Sequence, residues 1–169
     1  QDGGDLLIPV QMAPPLPAEI RRRLTVAALQ WVGSSPYPPR RTAVEQLQDA
    51  LGAQQRVTLC GCLVLKRKDH YRIAREYNAV KEARCATDAI WDNRWRMIGP
   101  HAPDLEVRVL GDAVSTLTGW RDVGVPRASL MASPAVWRGD CLVAAPVAGY
   151  NQGWSAQIVA DFASFLLSH

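Results

Sequence analysis

The sequence predicts an α+β protein, with a short helical N-terminal subdomain at residues 1–53 and a mainly antiparallel β C-terminal domain at 54–169. Three observations carry this. Two stretches before residue 53 repeat their apolar residues at helical spacing. From residue 57 the pattern changes to alternation, the period of a strand. Short alternating runs then recur between turn signals built from Gly, Pro and Asp.

PAEIRRRLTVAALQWV (17–32) is a helix opened by Pro17, with Ile20, Leu24, Ala27 and Trp31 on one narrow arc, Arg22 opposite it, and Arg21 and Arg23 flanking Arg22. The prolines of GSSPYPPRR (33–41) make it a loop. TAVEQLQDALG (42–52) is a second helix, with Thr42 and Glu45 as a capping box, Val44, Leu47 and Leu51 as its apolar stripe, and Gly52 as its stop. VTLCGCLVLKRK (57–68) and YRIARE (71–76) flank Asp69-His70 and predict a hairpin, its tip made basic by Lys66 and Lys68 on one face. After a looser polar segment at 77–88, IWDNRWRMI (90–98) and LEVRVLG (105–111) read as two strands around the turn GPHAPD. Short helical turns fit TLTGWRD and PRASLMA. AVW and CLVAAPV are strands joined by Arg138-Gly139-Asp140, where Gly-Asp is turn chemistry and not an adhesion signal. WSAQIVADFASFLLSH closes the chain as an apolar strand or helix.

The composition, 48% apolar and 21% charged, is that of a folded globular chain, and no apolar run reaches the roughly 20 residues of a membrane span. QDGGDLLIPV has no basic n-region and no Met, so it is not a secretory signal, and the chain is expected to begin inside a longer gene product. The net charge is only +3, but it is unevenly placed. Residues 20–41 carry five Arg and no acid, and residues 56–75 carry six cations against Asp69 alone. Arg offers a planar fork to phosphate oxygens, so this clustering points to a polyanionic partner.

A search for chemistry finds no catalytic constellation. Neither G-x-S-x-G, nor G-x-x-x-x-G-K-[ST], nor G-x-G-x-x-G occurs. Cys60 and Cys62 would share one strand face, and with Cys85 and Cys141 they lack the spacing of a zinc site, so all four are expected as free thiols. His70, His101 and His169 are scattered, and no metal is assigned. Asp88/Asp92 and Asp104/Glu106 fit turn and surface roles. Trp31, Trp137 and Trp154 belong to the core. Trp91 and Trp95, if on one strand, share a face opposite Arg94 and Arg96, where packing is favoured over stacking on a base.

Taken in order, PAEIRRRLTVAALQWV, YPPRRTAVEQL, TLCGCLVLKRK with RIARE, IWDNRW, VPRASLMASPAVWRGDCLVAAP and FASFLLSH resemble the C-terminal half of the proteobacterial tRNA(Ile)-lysidine synthetases. The resemblance runs from about residue 17 to the end, and its most specific parts are the Pro-Arg-Arg helix entry and the S-P-A-V-W-R-G-D hairpin. Enzymes of that family carry an N-terminal PP-loop domain marked by S-G-G-x-D-S. It adenylates the first anticodon cytidine of an isoleucine tRNA and joins lysine to it with loss of AMP. No such motif occurs here. The resemblance therefore implies an ATP-dependent, cytoplasmic ligase as parent, with ATP and lysine bound only on the missing domain.

What this segment keeps, by resemblance, are the helical linker and the C-terminal domain that hold tRNA, and no catalytic residue or cofactor transfers to it. The expected partners are tRNA and the parent's own N-terminal domain, with no membrane. Charge placement, apart from the resemblance, nominates Arg21, Arg22, Arg23, Arg40, Arg41, Lys66, Arg67, Lys68, Arg72 and Arg75 as the RNA contacts. The alternative is a structural or homodimerisation module that makes no direct RNA contact.

Overall fold

The computed structural model describes residues 3–10, 16–53 and 56–168. Helices and antiparallel sheets make it α+β, as the sequence predicts. Its two compact units are Gln1–Glu76 with Phe162–His169, and Tyr77–Asp161. The change of period at residue 53 falls inside the first unit, because the strands that follow it supply the surface on which the preceding helices bury their apolar sides.

The first unit is an antiparallel sheet carrying helices. Strands β1 (Leu6–Pro9), β2 (Arg56–Leu59), β3 (Cys62–Lys66) and β4 (His70–Arg75) lie in the order β1-β4-β3-β2. The apolar run after residue 56 is thus two strands. Cys60 and Gly61 both take left-handed φ, 52° and 68°, and turn the chain between them. This overturns the expectation that Cys60 and Cys62 share a buried face. Cys62 is buried, its Sγ donating to the Leu29 carbonyl at 3.4 Å, while Cys60 is exposed at the turn.

Helix α1 (Ala18–Gly33) begins after Pro17 and buries Ala28, Leu29, Trp31 and Val32. Only its last turns reach the core. Ile20 stays 44% exposed, so the predicted arc is replaced by a face set by where the sheet lies. Helix α2 (Arg41–Ala53) buries Val44, Leu47 and Leu51, as its periodicity predicts. Its start differs. The Arg40 carbonyl accepts the first bonds, from Ala43 and Val44 N–H, and Glu45 binds Arg41 in place of closing a box with Thr42. It also runs through Gly52 to Ala53.

The second unit holds two antiparallel sheets. After a single turn, α3 (Tyr77–Val80), come β5 (Arg84–Ala86), β6 (Ile90–Trp91), β7 (Trp95–Ile98) and β8 (Glu106–Val109). Helix α4 (Arg127–Met131), β9 (Pro134–Arg138), β10 (Cys141–Ala144) and β11 (Ser155–Ile158) follow. The sheets run β10-β9-β8-β5 and β11-β7-β6. Residues 90–98 form a hairpin and not one strand, because Asp92 and Asn93 adopt φ of 50° and 52°, which short Asx side chains tolerate. Trp91 and Trp95 therefore face each other across the pair, and both are buried with Met97, Val107, Val136 and Trp154. The closing segment is strand then helix: β11, then α5 (Phe162–Leu167), which returns to the first unit with Phe162 edge-on to Trp31 at 5.7 Å.

Candidate nucleic-acid interface

The basic surplus belongs to one unit. Residues 1–76 and 162–169 hold eleven Lys and Arg against seven Asp and Glu, whereas residues 77–161 hold eight against nine. In the second unit most arginines are already engaged. Arg84 and Arg108 meet Glu106, Arg127 meets Asp112 at 3.0 Å, and Arg138 meets Asp104 at 2.6 Å. The Arg-Gly-Asp turn is thus a hairpin corner, with Arg138 ending β9 and paired back to the body of its own unit. Arg108 also lies over the Trp137 ring at 4.3 Å.

The ten nominated residues of the first unit fall into two groups. Six are occupied. Arg22 and Arg23 grip the Glu19 carboxylate, Arg22 by two bonds of 3.0 and 2.8 Å and Arg23 by one of 2.9 Å. Those bonds, Arg22 first, hold the Glu19 carboxyl down to about 2, so it stays ionised and offsets both arginines. Arg41 pairs with Glu45 at 2.8 Å. Lys66 donates from Nζ to the Leu51 carbonyl at 3.2 Å, satisfying one of the orphan acceptors in the last turn of α2. Arg75 donates to the Gly61 carbonyl at 2.9 Å and braces the β2–β3 turn. Arg72 is buried against Asp5. Both stand on β4, an interior strand with β1 on one side and β3 on the other.

The second group, Arg21, Arg40, Arg67 and Lys68, is exposed and makes no ion pair among the described residues. Arg56, at the start of β2, joins it. Sequence reasoning counts Arg56 among the cations of 56–75 but does not nominate it, because the apolar run 57–65 separates it from the rest. The sheet register shows its place, with Arg56 opposite Leu65, next to the β3–β4 turn that carries Arg67 and Lys68. His70 follows that turn. Its ring hydrogen-bonds Asp69 at 2.8 Å and holds the Asp69 carboxyl below its usual range, leaving a fixed anion among the cations. Arg40 stands at the other end of α2, about 20 Å away along a 13-residue helix. The exposed cations thus stand on α1, at the entry to α2, at the start of β2 and in the β3–β4 turn.

The four cysteines are free thiols, and burial, with the Asp88 carboxylate nearby, pushes the half-buried Cys85 thiol up, away from reactivity. Among the described residues no group of three His, Cys, Asp or Glu could hold a metal, and His169 lies outside them. No described helix is long and apolar enough to cross a membrane.

The tRNA(Ile)-lysidine synthase of Ruegeria pomeroyi is 43% identical to this chain over 172 aligned residues, which cover 99% of the chain. The chain is a relative of the C-terminal part of that synthase. It spans 41% of the length of the curated relative it matches. No family model matches the chain, and no solved structure matches it. The match covers both units, so the resemblance seen in the ordered motifs extends over the hairpin-rich second unit and the basic first one alike.

Proposed function

We propose that this chain is the tRNA-holding portion of an ATP-dependent ligase that joins lysine to the first anticodon cytidine of an isoleucine tRNA. Adenylation and lysine transfer belong to the parent's N-terminal domain, which binds ATP and lysine. This segment supplies grip and orientation, in the cytoplasm. The observation that supports the reading is the coincidence of similarity, over 99% of the chain, to 41% of a lysidine synthase with a first unit whose exposed cations, Arg21, Arg40, Arg56, Arg67 and Lys68, make no ion pair among the described residues. Guanidinium groups not held in ion pairs present a planar, pre-organised fork to phosphate oxygens. Each neutralised phosphate releases a counterion, so such binding weakens with salt.

The test is a titration of the chain with an isoleucine tRNA at several salt concentrations. Log affinity is expected to fall with log salt by roughly 0.7 to 0.9 per phosphate contacted. Replacing Arg67 and Lys68 together by Glu is expected to weaken binding and reduce that slope by about two. With ATP, lysine and tRNA present, the chain alone is expected to form no lysidine. Binding that ignores salt, or a double variant that binds like the parent, would overturn the assignment of the β3–β4 turn. A dimer in sedimentation that is indifferent to RNA would favour an interaction module instead.

A further inference from the structure

The loop between α1 and α2 holds a second feature that base recognition needs. Tyr37 is 79% exposed, while each of the other aromatic side chains, the six tryptophans included, is buried or half-buried. Trp91 and Trp95, the rings most suggestive of stacking in the sequence, are packed inside the second unit. A single exposed aromatic residue needs no explanation by itself. The backbone beneath this one, however, is restricted. Pro36, Pro38 and Pro39 fix their own φ, and each X-Pro junction restricts the residue before it, Tyr37 among them. The Ser35 hydroxyl adds a clamp, accepting from the Tyr37 N–H at 3.3 Å and donating to the Tyr37 carbonyl at 2.9 Å. Three residues on, Arg40 is held by its own carbonyl at the first turn of α2, yet its exposed guanidinium has no ion pair among the described residues. The neighbouring Arg41 is bound to Glu45, so Arg40 is the fork left for a ligand.

We propose that the Tyr37–Arg40 loop docks one unpaired RNA nucleotide, with its base stacked on the Tyr37 ring and its phosphate held by Arg40. This rests on the tRNA-holding reading above and narrows it to a single-stranded element. In a duplex both faces of each base are covered by neighbours, so only an unpaired base offers a free face to an aromatic ring. A backbone already restricted loses little further freedom when its ring stacks, which gives the proline framework its physical purpose. The flanking residues, two serines and two arginines among prolines, would suit an apolar protein partner poorly and a nucleotide well.

The experiment compares the full chain with Tyr37→Ala, Tyr37→Phe and Arg40→Gln on two RNAs: a stem–loop with a single-stranded loop, and the same stem as a blunt duplex. Tyr37→Ala is expected to weaken stem–loop binding by roughly 5- to 100-fold and to leave duplex binding unchanged. Tyr37→Phe, which keeps the ring face, is expected to bind as the parent does. Arg40→Gln is expected to lower affinity for the stem–loop and its salt slope by about one. Stem–loop affinity unaltered by Tyr37→Ala, or equal losses on both RNAs, would overturn the stacking site while leaving the tRNA-holding reading intact. A parent chain that binds neither RNA would overturn that reading and this one together. The thermal midpoint of each variant, expected to match the parent for so exposed a ring, separates lost contact from lost fold.

Discussion

Asp5 and Arg72 meet inside the first unit, Nη1 donating to Oδ2 at 2.7 Å with the two side chains only 3% and 10% exposed. Asp5 immediately precedes β1, and Leu7 of β1 lies opposite Arg72 in register. The pair therefore fastens the first strand to the interior of the sheet, and it removes from the surface an arginine that charge clustering alone assigns to RNA. Breaking one partner leaves the other charged and desolvated, which costs about 3–5 kcal/mol. Asp5→Asn and Arg72→Met are each expected to lower the unfolding free energy, measured by urea titration, by that order. Where the variants remain folded, RNA affinity and its salt slope are expected to be unchanged. A drop in slope for Arg72→Met without a loss of stability would return Arg72 to the interface.

Glu19 acts as a brake on the basic face of α1. Its carboxylate is shared by Arg22 and Arg23, and the residue is half exposed. Glu19→Gln is expected to free both guanidinium groups, raising RNA affinity at low salt and steepening the salt slope by up to about two. The pH dependence follows from the same bonds. The folded carboxyl titrates near 2 against an ordinary value of 4.5, so whatever helix stability the cluster supplies is complete above 4.5 and is lost as pH falls toward 2. Helicity of Glu19→Gln is expected to be flat across that window where the parent declines, as circular dichroism would show.

Gly99 is expected to tolerate no side chain. A Cβ there would lie 2.4 Å from the Trp154 ring, which is itself buried in the core of the second unit and set edge-on to His101 at 5.3 Å. Gly33→Ala meets the same difficulty in the first unit, 2.6 Å from the Cys60 carbonyl oxygen, where α1 closes on the β2–β3 turn. Overpacking of this kind costs about 1–3 kcal/mol. Both substitutions are expected to lower thermal midpoints. Gly139→Ala, with open space around it, is the contrast: φ of 53° leaves only backbone strain to resist it. Equal effects at all three positions would show that packing is not what excludes the methyl groups.

Much of this molecule is legible before folding. Val44, Leu47 and Leu51 form the stripe that their spacing announces, and Arg138-Gly139-Asp140 turns where Gly-Asp chemistry says it must. The turns at Cys60-Gly61 and Asp92-Asn93 were harder, because continuous apolar or mixed runs hide a reversal that rests on two left-handed residues. β1 was missed since LLIP is too short to show alternation by itself, and its partner β4 is sixty-odd residues away.

Local order in the chain determined element types, the absence of a phosphate loop and the gathering of cations before residue 76, since these depend on neighbours a few residues apart. Which cations remain outside was decided only by tertiary structure. Arg72 is buried by a partner, Asp5, that is remote in sequence, Lys66 is drawn to the end of α2, and Tyr37 is left 79% exposed. Burial and long-range pairing are properties of the folded surface, and no pattern of adjacent residues contains them.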